Sequence, residues 1–188
     1  MRIFKIVCLF SLFFSLVGHA VEPMVPFRYA PHSISQTRLS GIDLSKGVNV
    51  GVVAEVGSIL SGNLSSVPLN FVINLSAINP NVKKVTLTEF EYILKVDHVD
   101  FARGQVKKKY KFAPSSSGMV SIPVYLNLTT LLRSEKSATV QNMVKNFMGT
   151  GNRPTQITLY LKPVYQVGKE TVIPTQHIPV IFTFQGNR

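Results

Sequence analysis

The chain has 188 residues, 45% of them apolar and 15% charged, with twenty Lys+Arg against nine Asp+Glu. That length suits one domain whose core needs no staples, and the apolar fraction excludes a disordered, solvating chain. A formal charge of +11 favours anionic partners.

Residues 1–20 have the order of an export signal. Arg2 and Lys5 give a basic start, Ile6 to Val17 form an apolar run, and Gly18-His19-Ala20 supplies small residues at a cleavage point. We expect cleavage after Ala20 and delivery to the periplasm or the exterior. The apolar run falls short of the ~20 residues that span a bilayer, and no later run is long and charge-free enough, so no transmembrane segment is expected after cleavage. The one cysteine, Cys8, lies inside the signal. Its loss leaves no disulfide, thiolate metal site or cysteine nucleophile.

Residues 21–47 read as an irregular N-terminal arm, because Pro23, Pro26, Pro31, Gly41 and Gly47 interrupt it and no apolar period is sustained. From residue 48 to 188 the texture is that of a β-sandwich domain: short β-rich runs separated by Gly, Pro, Asn and Ser about every ten residues. The predicted strands are Val48 to Val56, Leu69 to Ile78, Thr88 to Val96, Gln105 to Phe112, Met119 to Leu126, Gln156 to Tyr165 and Ile178 to Phe184. In Leu69, Phe71, Ile73, Leu75 and Ala77 every second residue is apolar, which buries one face of that strand. Pro123 cannot donate to a ladder, so its strand should be an edge or carry a bulge. Between the late strands, Val140, Met143, Val144, Phe147 and Met148 share one face at helical spacing, with Ser134 to cap and Gly149 to stop. One helix over about 134–148 is expected. The fold class is therefore all-β, an antiparallel sandwich with a single helix.

Candidate chemistry is sparse. His32, His98 and His177 show no metal-ligand spacing, so neither a metal nor a cofactor is expected. No Gly-x-Ser-x-Gly elbow is present, and Glu89 and Glu91 fall on one exposed strand face rather than across a substrate. We expect no enzyme. If Gln105 to Phe112 is one strand, Lys107, Lys109 and Lys111 share a face and form a basic stripe. Such a stripe suits an anionic envelope component, and lysines equally keep an edge strand from pairing with neighbours. Nucleic acid is not an expected partner of an exported protein. The apolar series Val48 to Leu60, with the Met143 to Met148 helix face, would serve either as core or as the lining of a lipid pocket.

Asn79-Pro80-Asn81 is a turn device: proline presets φ for the second turn position, and the asparagines bond back to the backbone. The landmarks around it form a series: Leu75-Ser76-Ala77-Ile78-Asn79-Pro80-Asn81, Phe90-Glu91-Tyr92-Ile93-Leu94-Lys95-Val96, Ala102-Arg103-Gly104, Val120-Ser121-Ile122-Pro123-Val124 and Leu131-Leu132. This series resembles the late embryogenesis abundant type 2 family, also called the water stress and hypersensitive response domain, over roughly residues 50–184. It departs from that pattern in two places: Val85-Thr86-Leu87 stands where the family has a proline, and Asp97-His98 where it has Asn-Gly. The resemblance implies an immunoglobulin-like or fibronectin-III-like sandwich, non-enzymatic and linked to stress, of a kind present in exported bacterial proteins. The expected function is thus a non-catalytic, exported cell-envelope protein acting by binding or structural association with an envelope protein or an anionic component. A periplasmic carrier of lipid is one alternative. An adaptor subunit of a surface or secretion complex, docking through arm 21–47, is another.

Overall fold

The computed structural model describes residues 24–46 and 49–186. The expected signal and its cleavage point lie outside the described residues. Along the chain run β1 (Arg28–Leu39), β2 (Ile42–Asp43), α1 (Val50–Leu60), β3 (Pro68–Ile78), β4 (Val85–Val96), β5 (Val99–Val106) and β6 (Tyr110–Phe112). There follow β7 (Ser117–Asn127), α2 (Thr129–Leu132), α3 (Ser137–Phe147), β8 (Thr155–Val167), β9 (Glu170–Val172) and β10 (Ile178–Phe184).

Period-two alternation builds the central strands. Leu69, Phe71, Ile73, Leu75 and Ala77 of β3 are buried, as are Phe90, Tyr92, Leu94 and Val96 of β4 and Ile157, Leu159 and Leu161 of β8. Each strand turns its apolar residues to one side, so two sheets face each other across a dry interior. The first sheet has the order β2-β1-β3-β7 and the second β10-β8-β4-β5, with β6 also paired to β4 and β9 to β8. Every pairing is antiparallel. The expected all-β sandwich is what the chain forms.

β7 is an outer strand, as Pro123 requires. Pro123 stands opposite Val72 in the register with β3, and its missing N–H costs no ladder bond if it faces the open side. A second proline, Pro163, is buried inside β8 opposite Phe90. It falls between the part of β8 that pairs β10, ending at Leu161, and the part that pairs β9, starting at Tyr165.

Three expectations are corrected. The arm expected to be irregular over 21–47 is not so in its described residues, 24–46: they hold the twelve-residue β1, paired along β3 from Arg28↔Ile78 to Leu39↔Leu69. Its prolines misled because Pro31 sits at a bulge, where the register shifts between Pro31 and Ser33, and a bulge tolerates a residue that cannot join the ladder. The strand expected over Val48 to Val56 is not formed by its described residues, because Val50–Leu60 is a helix. Val52, Val56, Ile59 and Leu60 lie at helical spacing, and the Asn49 side chain caps the start by accepting from the Val52 N–H at 2.9 Å. Burying that face outweighs the preference of the valines for strands.

The third correction concerns Gln105 to Phe112, which is two strands. Phe90 of β4 pairs Val106 and Leu87 pairs Tyr110. Two residues, Thr88 and Glu89, bridge that interval on β4, whereas three lysines, Lys107, Lys108 and Lys109, bridge it on the other side. The surplus residue prevents a continuous ladder, and the lysines leave the sheet.

The late helix is α3, at Ser137–Phe147, a turn shorter than expected. Ser134 does not cap it but forms the turn before it, its carbonyl accepting from the Ser137 N–H at 3.1 Å. Gly149, at φ 77°, ends it. Val140, Met143, Val144 and Met148, with Val56, Ile59 and Leu60 of α1, are buried in the core, whereas Phe147 lines a surface cleft with Phe182 and Phe184. The buried amides of Asn142 and Asn146 both donate to Thr155 Oγ1, at 2.9 and 2.7 Å, and tie α3 to the start of β8.

Candidate functional site

The end of the sandwich where β3 turns into β4 carries the most structured polar geometry. Asn79 is fully buried. Its Nδ2 donates to the Lys83 carbonyl at 3.0 Å and the Ala113 carbonyl at 2.9 Å, and its Oδ1 accepts from the Asn81 backbone N–H at 3.0 Å. The Asn79 N–H donates to the Ser116 carbonyl, and the Ser115 N–H to the Asn81 carbonyl. One buried amide thus stitches the β3–β4 turn to the β6–β7 loop. Such a group is expensive to bury unless its bonds are made.

Asn81 extends the same device outward. Its Oδ1 accepts from the Val25 N–H at 2.8 Å and its Nδ2 donates to the Val25 carbonyl at 2.9 Å. The amide imitates a strand partner and clamps the segment leading into β1. Just beyond, Phe27 is buried against Tyr165 and Phe112, with ring centroids 4.8 and 5.0 Å apart. The hydroxyls of Tyr29 and Tyr165 lie 2.9 Å apart. Burial pushes the Tyr165 phenol up to about 12. Burial, then the neighbouring Tyr165, raises Tyr29 further. Both rings stay neutral and structural at physiological pH.

Two clefts open beside the turn. The first, of about 750 Å³, is lined by Met24 and Val25, by Pro80 to Lys83, and by Val167 to Glu170 with Val172. The second, of about 470 Å³, is lined by Lys83, Lys84, Thr86, Gln166, Val167 and Gly168. Lys83, Val167 and Gly168 belong to both, so the clefts adjoin. Lys83, Lys84 and Lys169 are exposed, and among the described residues none of them joins a salt bridge.

Of the residues singled out in the sequence, Asn79, Pro80 and Asn81 frame this end. Lys107 and Lys109 lie in the β5–β6 loop and Lys111 in β6, opposite Thr86. All three are exposed, but they do not form the single strand face expected of them, and Lys108 folds back over the Tyr110 ring at 5.2 Å. His32 lies in β1, His98 in the β4–β5 turn and His177 ahead of β10, each exposed. Among the described residues no group of three His, Cys, Asp or Glu is placed to hold a metal ion. No helix among them is long and apolar enough to cross a membrane. Missed in the sequence were Lys83, Lys84 and Lys169 as rim residues. The adjacent pair Lys83-Lys84 was visible, but nothing local connects it with residues 167–172.

No protein-family model matches the chain, and no curated protein matches it. Among solved structures, a protein from Archaeoglobus fulgidus is similar at TM-score 0.42 and 16% identity, over 83% of this chain and 99% of that one. An Arabidopsis thaliana protein solved in solution is similar at TM-score 0.46 and 10% identity, over 64% of this chain and 72% of that one. A protein described as late embryogenesis abundant is similar at TM-score 0.41 and 13% identity, over 86% of this chain and 69% of that one.

Proposed function

We propose that this chain is an exported, non-catalytic binding protein of the cell envelope, whose contact surface is the sandwich end built on Asn79-Pro80-Asn81. The observation that carries this reading is the pair of adjoining clefts, which share Lys83. Small-ligand sites are concave, largely apolar and marked by a few placed polar groups, and this end has that character. The buried Asn79 amide holds the rim in place, which limits the ordering that binding would cost. Export rests on the composition of residues 1–20. The non-catalytic reading rests on the exposed, unclustered histidines and on titration shifts that fall mainly on buried tyrosines within the fold. The landmark resemblance adds a stress setting. Docking through a loose arm is not part of this reading, because β1 belongs to the first sheet.

Recovery of the protein from its native envelope tests the proposal. The mature chain should begin at Val21, and a Lys83→Glu/Lys84→Glu/Lys169→Glu variant should lose whatever co-purifies with the parent. Lys107→Glu/Lys109→Glu/Lys111→Glu should retain it. The opposite pattern would move the contact surface to the β5–β6 loop and refute the assignment.

A further inference from the structure

Resting on that reading, we infer that the two clefts form one site for a single-chain anionic amphiphile of the fatty-acid class, its tail in the larger cleft and its head at Lys83 and Lys84. The larger cleft takes its apolar lining from Met24, Val25, Val82, Val167 and Val172, and about 750 Å³ lies within the roughly 300–1,000 Å³ usual for small-molecule pockets. Val82 is 71% exposed and Val25 50%. Apolar side chains gathered at one cleft and left in water mark a surface that a ligand covers.

The adjoining cleft is the more polar of the two. Lys83 and Lys84 offer ammonium groups, Thr86 a hydroxyl and Gln166 an amide, and a carboxylate or phosphate head accepts from all of these. Lys169 and Glu170 both line the larger cleft, where their opposite charges offset, while the smaller cleft carries Lys83 and Lys84 with no acidic residue in its lining, so an anionic head is drawn to the smaller one. The polar and apolar halves meet at Lys83, which lines both clefts; a lysine stem can lie on apolar surface while its charge stays in water.

The test is titration calorimetry on the full mature chain, with dodecanoate below its micellar concentration as the probe. We expect saturable binding of one dodecanoate per chain. Dodecanol, with the same tail and no charge, should bind at least about tenfold more weakly, and so should dodecanoate to Lys83→Glu/Lys84→Glu, since each lost charge-assisted contact is of the order that makes a tenfold change. Val82→Asp should weaken dodecanoate to the same degree. These positions are exposed, and unchanged thermal melting would show that the variants fold. Inorganic phosphate alone should give no heat. Dodecanol binding as tightly as dodecanoate would overturn the inference. So would undiminished binding by the lysine variant, or binding of phosphatidylglycerol vesicles without binding of monomeric dodecanoate. A benzophenone side chain at position 82, introduced in cells, distinguishes this failure from that of the broader reading. An adduct with a fatty acid supports both, an adduct with an envelope protein defeats only the amphiphile, and no adduct at all defeats both.

Discussion

The hydroxyl of Tyr110 both donates to the Ser121 carbonyl, at 3.0 Å, and accepts from the Ser121 N–H, at 3.2 Å. Tyr110 belongs to the second sheet and Ser121 to the outer strand of the first. Successive residues in a strand turn their backbone groups to opposite sides, so Met119, Pro123 and Tyr125 face the same open edge as Ser121. Pro123 has no N–H to offer there, and Tyr110 occupies the position next to it. A single hydroxyl stands in for a missing strand and closes part of an edge that would otherwise template association.

Tyr110→Phe should therefore cost about 1–2 kcal/mol, the usual consequence of leaving a backbone donor and acceptor without their partner. It should also promote self-association through β7. Chemical denaturation and sedimentation velocity read the two effects, and a variant as stable and as monomeric as the parent would contradict the role.

At the turn, Asn79→Ala removes the group that satisfies the Lys83 and Ala113 carbonyls. The Lys83 carbonyl loses this donor, the Ala113 carbonyl keeps Ser116 Oγ at 2.8 Å, and a cavity remains where the buried amide was, so a loss of about 2–4 kcal/mol is expected. Asn81→Ala removes the clamp on Val25 and the bond its Nδ2 donates to Asn79 Oδ1 at 2.9 Å, at a half-buried site where Asn79 keeps its other partners, and should cost less, about 1 kcal/mol. Hydrogen exchange should show the distinction: the Val25 amide gains exchange in Asn81→Ala while the centre of β3 does not.

The β4–β5 hairpin turns through Asp97 and His98, at φ 45° and 68°, between the paired Val96 and Val99. Both φ values are positive, as a two-residue type I′ loop demands. Asp97 is retained by accepting from the Gln156 N–H at 2.8 Å. No such bond accompanies the exposed His98, so His98→Gly should relieve backbone strain and raise stability by roughly 0.5–1 kcal/mol, while Asp97→Gly should lower it. Thermal melting of the two variants decides this.

Alkaline pH offers a test of the Tyr29–Tyr165 pair. Both phenols hold their protons more tightly in the folded chain than in the unfolded one, whose tyrosines titrate near 10.0. Their contribution is complete below pH 10 and is lost as the unfolded state sheds protons that the native state keeps. Stability should fall from about pH 10 upward, with Tyr165, whose phenol is pushed up to about 12, accounting for roughly 2 kcal/mol by pH 12. Tyr165→Phe should flatten that fall, and an unchanged slope in urea titrations at pH 9, 10.5 and 12 would show that the phenols are not the cause.

What the sequence by itself determined was whatever repeats within a few residues. The alternation in β3, β4, β7, β8 and β10 marks strands, because side chains a residue apart point to opposite faces. Val140, Met143, Val144 and Met148 mark α3 by the same logic at helical spacing, Pro123 announces an outer strand, and Asn79-Pro80-Asn81 a turn. The tertiary structure alone decided the rest. β1 is a strand because β3 offers it a ladder, despite Pro31, and α1 is a helix because the core accepts Val56, Ile59 and Leu60 on one side. The lysines of 107–109 leave the sheet because β4 spans the same interval with one residue fewer. The clefts join segments near residues 24, 82 and 168, distant in sequence and without shared periodicity, because hydrogen bonds from Asn79 and Asn81 and the β4–β8 ladder bring them to one end of the sandwich.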